Sequence, residues 1–410
     1  MKRYILIITI IAAALTACRQ RGDIYLNPND PLNLDYSSYA EQFDVFWKGM
    51  NSYYVFWSVD STDWDNVYTT LMPKFQDLDA AYAADGSIPD SLTYSALYTQ
   101  ATEHLIDHHL YISLRDVHTD KQYSFNPGLN EVASREYTAG QKYGTPVMKK
   151  EIQNYIDRKI IDAGSWGEMG DEANFFGIRT LDDGRKIAYL WMSSYQMSEV
   201  IGKEGTTNEE KTYINNIKAW LDMCLTETRL AGIILDNRCN KGGKITDLNY
   251  VVGTFISSPV HYADVRYKEG AGRYDYTDWI PVYVDTTTTA DKRRDLEKEN
   301  IPYIVLTNAT SISMAELSAK IIRDMPTGRM IGERTFGAHG QLLAHNTIFH
   351  DGSFGDKNGK HYVYTSSMQT RFVNDGILEG IGITPTKTIY QAEEGYLGAM
   401  NKAIDYIKAY

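Results

Sequence analysis

Residues 301–316, Ile-Pro-Tyr-Ile-Val-Leu-Thr-Asn-Ala-Thr-Ser-Ile-Ser-Met-Ala-Glu, constrain the fold more than any other stretch. Tyr303 to Leu306 is a short apolar run rich in branched residues, the pattern of a buried strand. Thr307 to Thr310 reads as a polar turn. Ser313-Met314-Ala315-Glu316 then opens a helix predicted to run to about Met325, stopped by Pro326 and Gly328. A serine on such a turn is displayed at the carboxyl edge of a sheet. The first N–H groups of the helix lie beside it and can stabilise an oxyanion. Taken alone, Ser313-x-x-Glu316 is also a capping box, and capping boxes are commoner than nucleophiles.

The rest of the chain supplies the layers such a unit needs. From Lys186 the pattern is α/β. Strands are predicted at Ile187–Ser194, Gly232–Leu235 and Val260–Tyr267. Helices are predicted at Asn208–Glu227 and Ile245–Ile256, with a covering helix at Glu394–Tyr410. Tyr274 to Lys298 reads as a polar insertion. Upstream, Phe43, Phe46, Trp47 and Met50 fall at helical spacing, Asp63 caps a second helix, and Pro89-Asp90-Ser91 opens a third. That aromatic stripe reads as the core of a small helical domain. Tyr123 to Glu172 says least, with one helix at Lys149–Ile161.

Met1 to Cys18 reads as a processing segment. Lys2-Arg3 is a charged start, and Ile5 to Leu15 is an apolar run too short to span a bilayer comfortably. Leu15-Thr16-Ala17-Cys18 resembles the lipobox of bacterial lipoproteins, which makes Cys18 a lipidation site and the protein an extracytoplasmic one tethered by acyl chains. Arg19 to about Leu34 would be the tether. Cys224 and Cys239 are the remaining cysteines, and nothing in their spacing demands a bridge. The net charge of −12 argues against a nucleic-acid partner or an electrostatic membrane patch.

Several stretches could carry chemistry. Leu235-Asp236-Asn237-Arg238-Cys239-Asn240-Lys241-Gly242-Gly243 follows a predicted strand, and its two glycines let backbone N–H groups approach a ligand. Gly332-Glu333-Arg334-Thr335-Phe336-Gly337 and Glu379-Gly380-Ile381-Gly382-Ile383-Thr384-Pro385 are further glycine-shaped turns. His104 and His108 share a helix face, but no acid stands between them as in His-Glu-x-x-His, so no metal and no other cofactor is expected.

Together these stretches resemble the S41 peptidases, the tail-specific or C-terminal processing protease family. Its patterns Asp-x-Arg-x-Asn-x-Gly-Gly, Asn-x-x-Ser-x-Ser-x-x-Glu, Gly-x-x-Thr-x-Gly and Glu-Gly-x-Gly-x-x-Pro occur in order across roughly residues 180–390. The resemblance implies a ClpP/crotonase-like α/β catalytic domain preceded by a small N-terminal helical domain. One branch uses a Ser–Lys dyad with the lysine directly after Thr-Phe-Gly, where this chain has Ala338 followed by His339. Lys320 is a poor replacement. The tricorn-like branch uses Ser, His and Glu, and its histidine follows Asp-Gly. Asp107-His108-His109 matches, with His108 in the glycine slot.

The resemblance therefore implies Ser313 as nucleophile, His109 as base with His118 as runner-up, and Glu379 as the orienting acid. It implies an oxyanion hole from the N–H of Met314 with that of Gly242 or Gly243. The implied organisation is a signal peptide at 1–17, a tether at 18–34, helices at 35–108, a connecting strand and loop region at 109–185, the catalytic domain at 186–392 and a final helix at 393–410. The expected activity is serine-type hydrolysis of extracytoplasmic peptides or proteins, which would lie extended along a sheet edge. The expected location is the bacterial cell envelope, periplasmic or at the cell surface. The rival reading is a catalytically inactive ligand- or peptide-binding lipoprotein on the same fold; a glycan-handling lipoprotein has only the anchor in its favour.

Overall fold

The computed structural model describes residues 36–287, 294–342, 352–355 and 361–410. The expected signal peptide, Cys18 and the tether lie outside the described residues. Three helices open the fold, α1 (Tyr39–Tyr53), α2 (Trp64–Asp85) and α3 (Ser91–Thr102). Each starts on a side chain that accepts a helix N–H: Ser38, Asp63 and Asp90. The apolar stripe of α1 turns inward. Phe43 stacks on Phe75 with ring centroids 4.4 Å apart, and Trp57 packs on Trp64 at 5.2 Å.

The helical core does not close at residue 108. It is completed by an antiparallel sheet of β1 (Tyr111–Arg115) and β2 (Gln122–Phe125) with two strands from far downstream, β11 (Ser353–Gly355) and β12 (His361–Tyr364), in the order β11-β12-β1-β2. Phe354 and Val363 are buried among the aromatic residues of the helices. A Cβ on Gly49 of α1 would stand 2.1 Å from the Phe354 ring, so glycine is what admits the returning strand.

Helix α4 (Pro127–Ser134) and helix α5 (Thr145–Asp157) lead into β3 (Ala163–Met169) and β4 (Glu172–Thr180). These two form a hairpin about Gly170, which adopts φ +60°. They extend a seven-stranded sheet of order β14-β10-β9-β6-β5-β4-β3, where β5 is Lys186–Met192, β6 Leu230–Asp236, β9 Tyr303–Thr307, β10 Gly328–Gly332 and β14 Lys387–Thr388. The strands from β5 to β14 run parallel. β6 and β9 are buried along their whole length, as parallel strands covered on both faces require.

One face carries α6 (Asn208–Thr226) and α7 (Met314–Asp324). The other carries α5 and α8 (Gln391–Ala409). Cys224 belongs to the first core and Cys239 to the second, and both are unpaired. The helix expected at 245–256 is broken into short turns. The 274–298 insertion contains β8 (Ile280–Val284), which joins β7 (Val260–Tyr267) and β13 (Met368–Phe372) in a three-stranded sheet.

Candidate active site

Ser313 sits one residue before α7 with φ 59° and ψ −120°. An L-residue held there costs roughly 1–3 kcal/mol, and such strain gathers at sites where geometry must be imposed. The imposing contacts are visible. The Ser313 N–H donates to Ala338 O at 2.9 Å and to Glu316 Oε2 at 3.1 Å. Glu316 is fully buried and also accepts from Thr335 Oγ1 (2.5 Å) and from the N–H of Gly337 and Ala338 (both 2.8 Å). It is therefore more than a capping residue: it staples the serine turn to the 335–338 loop. Burial pushes its carboxyl up, against the pull of those donors.

The turn after β6 presses on the serine from the other side. Arg238 forks onto Asp236, with Nε 2.8 Å from Oδ1 and Nη2 2.5 Å from Oδ2. The same guanidinium donates to Tyr396 O (2.6 Å) on α8 and Tyr155 OH (3.0 Å) on α5. Asn237 reaches Ala315 O and Ser318 Oγ, both at 2.9 Å. Asn240 accepts the Gly242 N–H at 2.8 Å, and its own carbonyl accepts the Ile312 N–H at 3.0 Å. Gly242 has φ +84°, and a Cβ there would lie 2.6 Å from Ser313 Cβ and 3.1 Å from Met314 N. The space beside the hydroxyl exists because residue 242 has no side chain.

Between the two glycines expected to share the oxyanion hole with Met314, the backbone bonds differ. The Gly242 N–H is committed to Asn240, while among the described residues the N–H groups of Gly243 and Met314 have no acceptor. Those two are the donors left for a developing oxyanion.

Of the paired histidines, His108 turns its Nδ1 onto Phe336 O (2.9 Å), and its Nε2 lies 3.7 Å from Glu131. His109 faces inward. Its Nδ1 is 3.4 Å from Ser366 Oγ, and its Nε2 is shielded and without a partner among the described residues. Asp107 and Glu379 each present a carboxylate oxygen so that these and an imidazole nitrogen of His109 all lie within 4.8 Å of one another. A metal ion could bridge such a trio, but both carboxylates are already engaged by protein donors. Glu379 accepts the N–H of His108 (3.3 Å), His339 (3.1 Å) and Gly340 (2.7 Å). Burial, then the charges of Asp107 and Glu316, push its carboxyl well up.

His339 is the member that sequence reasoning passed over. It follows the empty lysine slot, is 1 % exposed, and brings Nδ1 to 3.7 Å from Glu379 Oε2. Neither ring nitrogen has a hydrogen-bond partner among the described residues. Burial, with His109 and His108 nearby, lowers its pKa to about 3. Burial likewise lowers those of His108 and His109.

The remaining candidates lie elsewhere. His118 stacks on Tyr82 at 3.5 Å and meets Tyr39 edge-on, both residues of the helical domain. Lys320 is buried between Asp324 and Asp375 and lies over the Phe372 ring at 5.3 Å. His104 is exposed beside Glu103 and shares no cluster with His108 among the described residues. Ser313 Oγ has no hydrogen bond to an imidazole in this resting arrangement among those described; such bonds are often long before substrate binds. A cleft of about 420 Å³ backs the Glu379 side, with His108, Glu131 and Ile381 on its wall.

The arrangement offers a strained serine at a strand-to-helix turn, two N–H groups without an acceptor among the described residues, and an imidazole–carboxylate cluster. Residues 186–388 match the description "Peptidase family S41", so this α/β region is an S41 peptidase domain. A solved structure from Parabacteroides merdae ATCC 43184, provisionally assigned as a peptidase, is similar at TM-score 0.62 and 21% identity, covering 91% of this chain and 97% of that one. Mature CPAF is similar at TM-score 0.55 and 12% identity, covering 91% of this chain and 98% of that one. At those identities the likeness speaks for the fold. No curated protein matches the chain by sequence.

Proposed function

We propose that the protein is a serine-type endopeptidase or processing peptidase with Ser313 as nucleophile, His109 as general base and Glu379 as the acid that completes the triad. The observation that carries this reading is the strained Ser313 turn, joined through Glu316 and Ala338 to the loop whose next residues hold Glu379. His109 Nε2 takes the proton from Ser313 Oγ as the oxygen attacks the carbonyl carbon. The N–H groups of Met314 and Gly243 receive the charge on the carbonyl oxygen, and the imidazolium then protonates the leaving amine. Glu379, within 4.8 Å of the ring, stabilises the imidazolium. This use of histidine in place of lysine is what favours the tricorn-like branch over the Ser–Lys branch. With the Leu15 to Cys18 sequence it suggests a lipid-anchored enzyme of the cell envelope that acts on extracytoplasmic peptides or proteins.

The test is a fluorophosphonate probe. Stable labelling of the wild type, mapped to Ser313 by mass spectrometry and lost in Ser313→Ala, supports the reading. Absence of labelling together with no cleavage of a diverse peptide library would replace it with the binding-protein alternative.

A further inference from the structure

We propose that Asp107, acting through the Ser366 hydroxyl, fixes the tautomer and orientation of the His109 ring. The proposal rests on the assignment of His109 as base, and it names two positioning residues that the triad does not contain.

Hydrogen-bond directions carry the argument. Asp107 is buried and accepts from four groups: the His109 N–H (2.9 Å), Thr365 Oγ1 (2.5 Å), the Ser366 N–H (2.7 Å) and Ser366 Oγ (3.0 Å). A serine hydroxyl has one proton. Here it points at Asp107 Oδ1, so the contact from Ser366 Oγ to His109 Nδ1 at 3.4 Å needs its proton from the ring. The chain therefore runs from Nδ1–H to Ser366 Oγ, and from the Ser366 O–H to Asp107. Nε2 keeps its lone pair, which is the form able to accept the Ser313 proton. No proton moves along the chain. When the O–H bond of Ser313 breaks and the Nε2–H bond forms, the imidazolium already has an acceptor at Nδ1.

Asp107 also holds the ring's own backbone, through the His109 N–H, so one carboxylate sets both the ring's attachment point and its far edge. Glu379 has a different task. Its described hydrogen bonds go to the backbone N–H groups of His108, His339 and Gly340, and it meets His109 through charge at a longer reach. The groups facing the His109 ring are thus Asp107, Glu379, His108 and His339, with Ser366 as the hydroxyl among them. Thr365 supplies an internal control. It donates to Asp107 Oδ2 and, among the described hydrogen bonds, has none to the imidazole.

Two measurements on the full chain decide the matter. The first is a ¹⁵N spectrum of protein labelled at histidine, with His109 assigned by comparison with His109→Gln. Wild type should show a protonated Nδ1 and a bare Nε2, and Ser366→Ala should shift the ring towards a mixture. A wild-type ring protonated at Nε2 overturns the proposal, and this result needs no labelling of Ser313.

The second is the rate of fluorophosphonate labelling across pH. Ser366→Ala should lower the maximal rate about 10- to 100-fold, a share of what acid–base catalysis contributes, with the probe's apparent binding constant unchanged. Its acid limb should move to lower pH, because the imidazolium loses its Nδ1 acceptor. Thr365→Ala should stay within a few-fold of wild type. Equal losses in both variants, or a wild-type rate and profile in Ser366→Ala, would mean that Asp107 merely braces the loop. Failure of the wild type to label at all would sink the peptidase reading, while the spectrum would still decide the tautomer.

Discussion

Replacing His339 with leucine should change how stability depends on pH. The wild-type ring is buried against Phe372, with centroids 5.0 Å apart and no partner for either nitrogen among the described residues. Its folded pKa is about 3, against about 6.5 for an unfolded histidine. The sign follows from which state binds the proton first. Below pH 6.5 the unfolded chain takes up a proton that the folded ring refuses, so stability falls as pH drops, until the folded ring titrates near 3. At pH 5 the accumulated penalty is RT ln(1 + 10^1.5), about 2 kcal/mol, and at pH 8 it is about zero. Glu379 acts in the opposite direction. Its raised folded pKa favours the folded state as pH falls through that value, so the wild-type curve mixes both effects. Comparing wild type with His339→Leu isolates the imidazole. Urea unfolding at pH 8 and pH 5 should show wild type losing about 2 kcal/mol more than the variant. Parallel losses would show that His339 protonates in place, and the dry environment described for it would be wrong.

Four further outcomes can be checked. His109→Ala should abolish peptide hydrolysis and His118→Ala should leave it nearly intact, since His118 lies on Tyr82; the reverse result would transfer the role of base. Glu379→Gln should lower kcat by several orders, up to the ~10⁴ seen for the orienting acid of another triad; wild-type rates would remove it from the machinery. Gly242→Ala places a Cβ 2.6 Å from Ser313 Cβ, and should cost at least ~100-fold in kcat through displacement of the serine; a rate within a few-fold would show that the turn yields. Cys18→Ser should release the protein from membranes or leave it unprocessed, and a trimmed, membrane-bound variant would refute the anchor.

The α/β half was legible because its signals are local. The apolar run Tyr303 to Leu306 lies in strand β9, which extends one residue further to Thr307, and the helix expected at Asn208–Glu227 is α6. The aromatic stripe of α1 likewise gave its buried face. The hairpin β3–β4 was harder: Ala163 to Met169 is exposed or half-buried except at Gly167, so it has no apolar alternation to read. What stayed hidden was pairing across great separations. Nothing near Tyr111 says that it lies opposite Tyr364, and nothing in the Thr335-Phe336-Gly337 motif says that His339 will be sealed beside Glu379. The commitment of the Gly242 N–H to Asn240 is equally invisible, because a side-chain acceptor two residues away competes with any ligand for the same donor.

The return of β11 and β12 to the helical domain also sets a timetable. On a ribosome, the segment carrying His109 emerges long before the residues that hold it. β1 begins two residues after His109 and pairs with β12, while Asp107 is grasped by Thr365 and Ser366. A nascent chain ending before residue 353 has its serine turn and its histidine but lacks the strands and donors that seat the latter. Such a long-range closure is slow to find, and His109 is seated only after it. With His109 as the proposed base, a chain made in this order would lack that base until residues 361–366 have joined the fold.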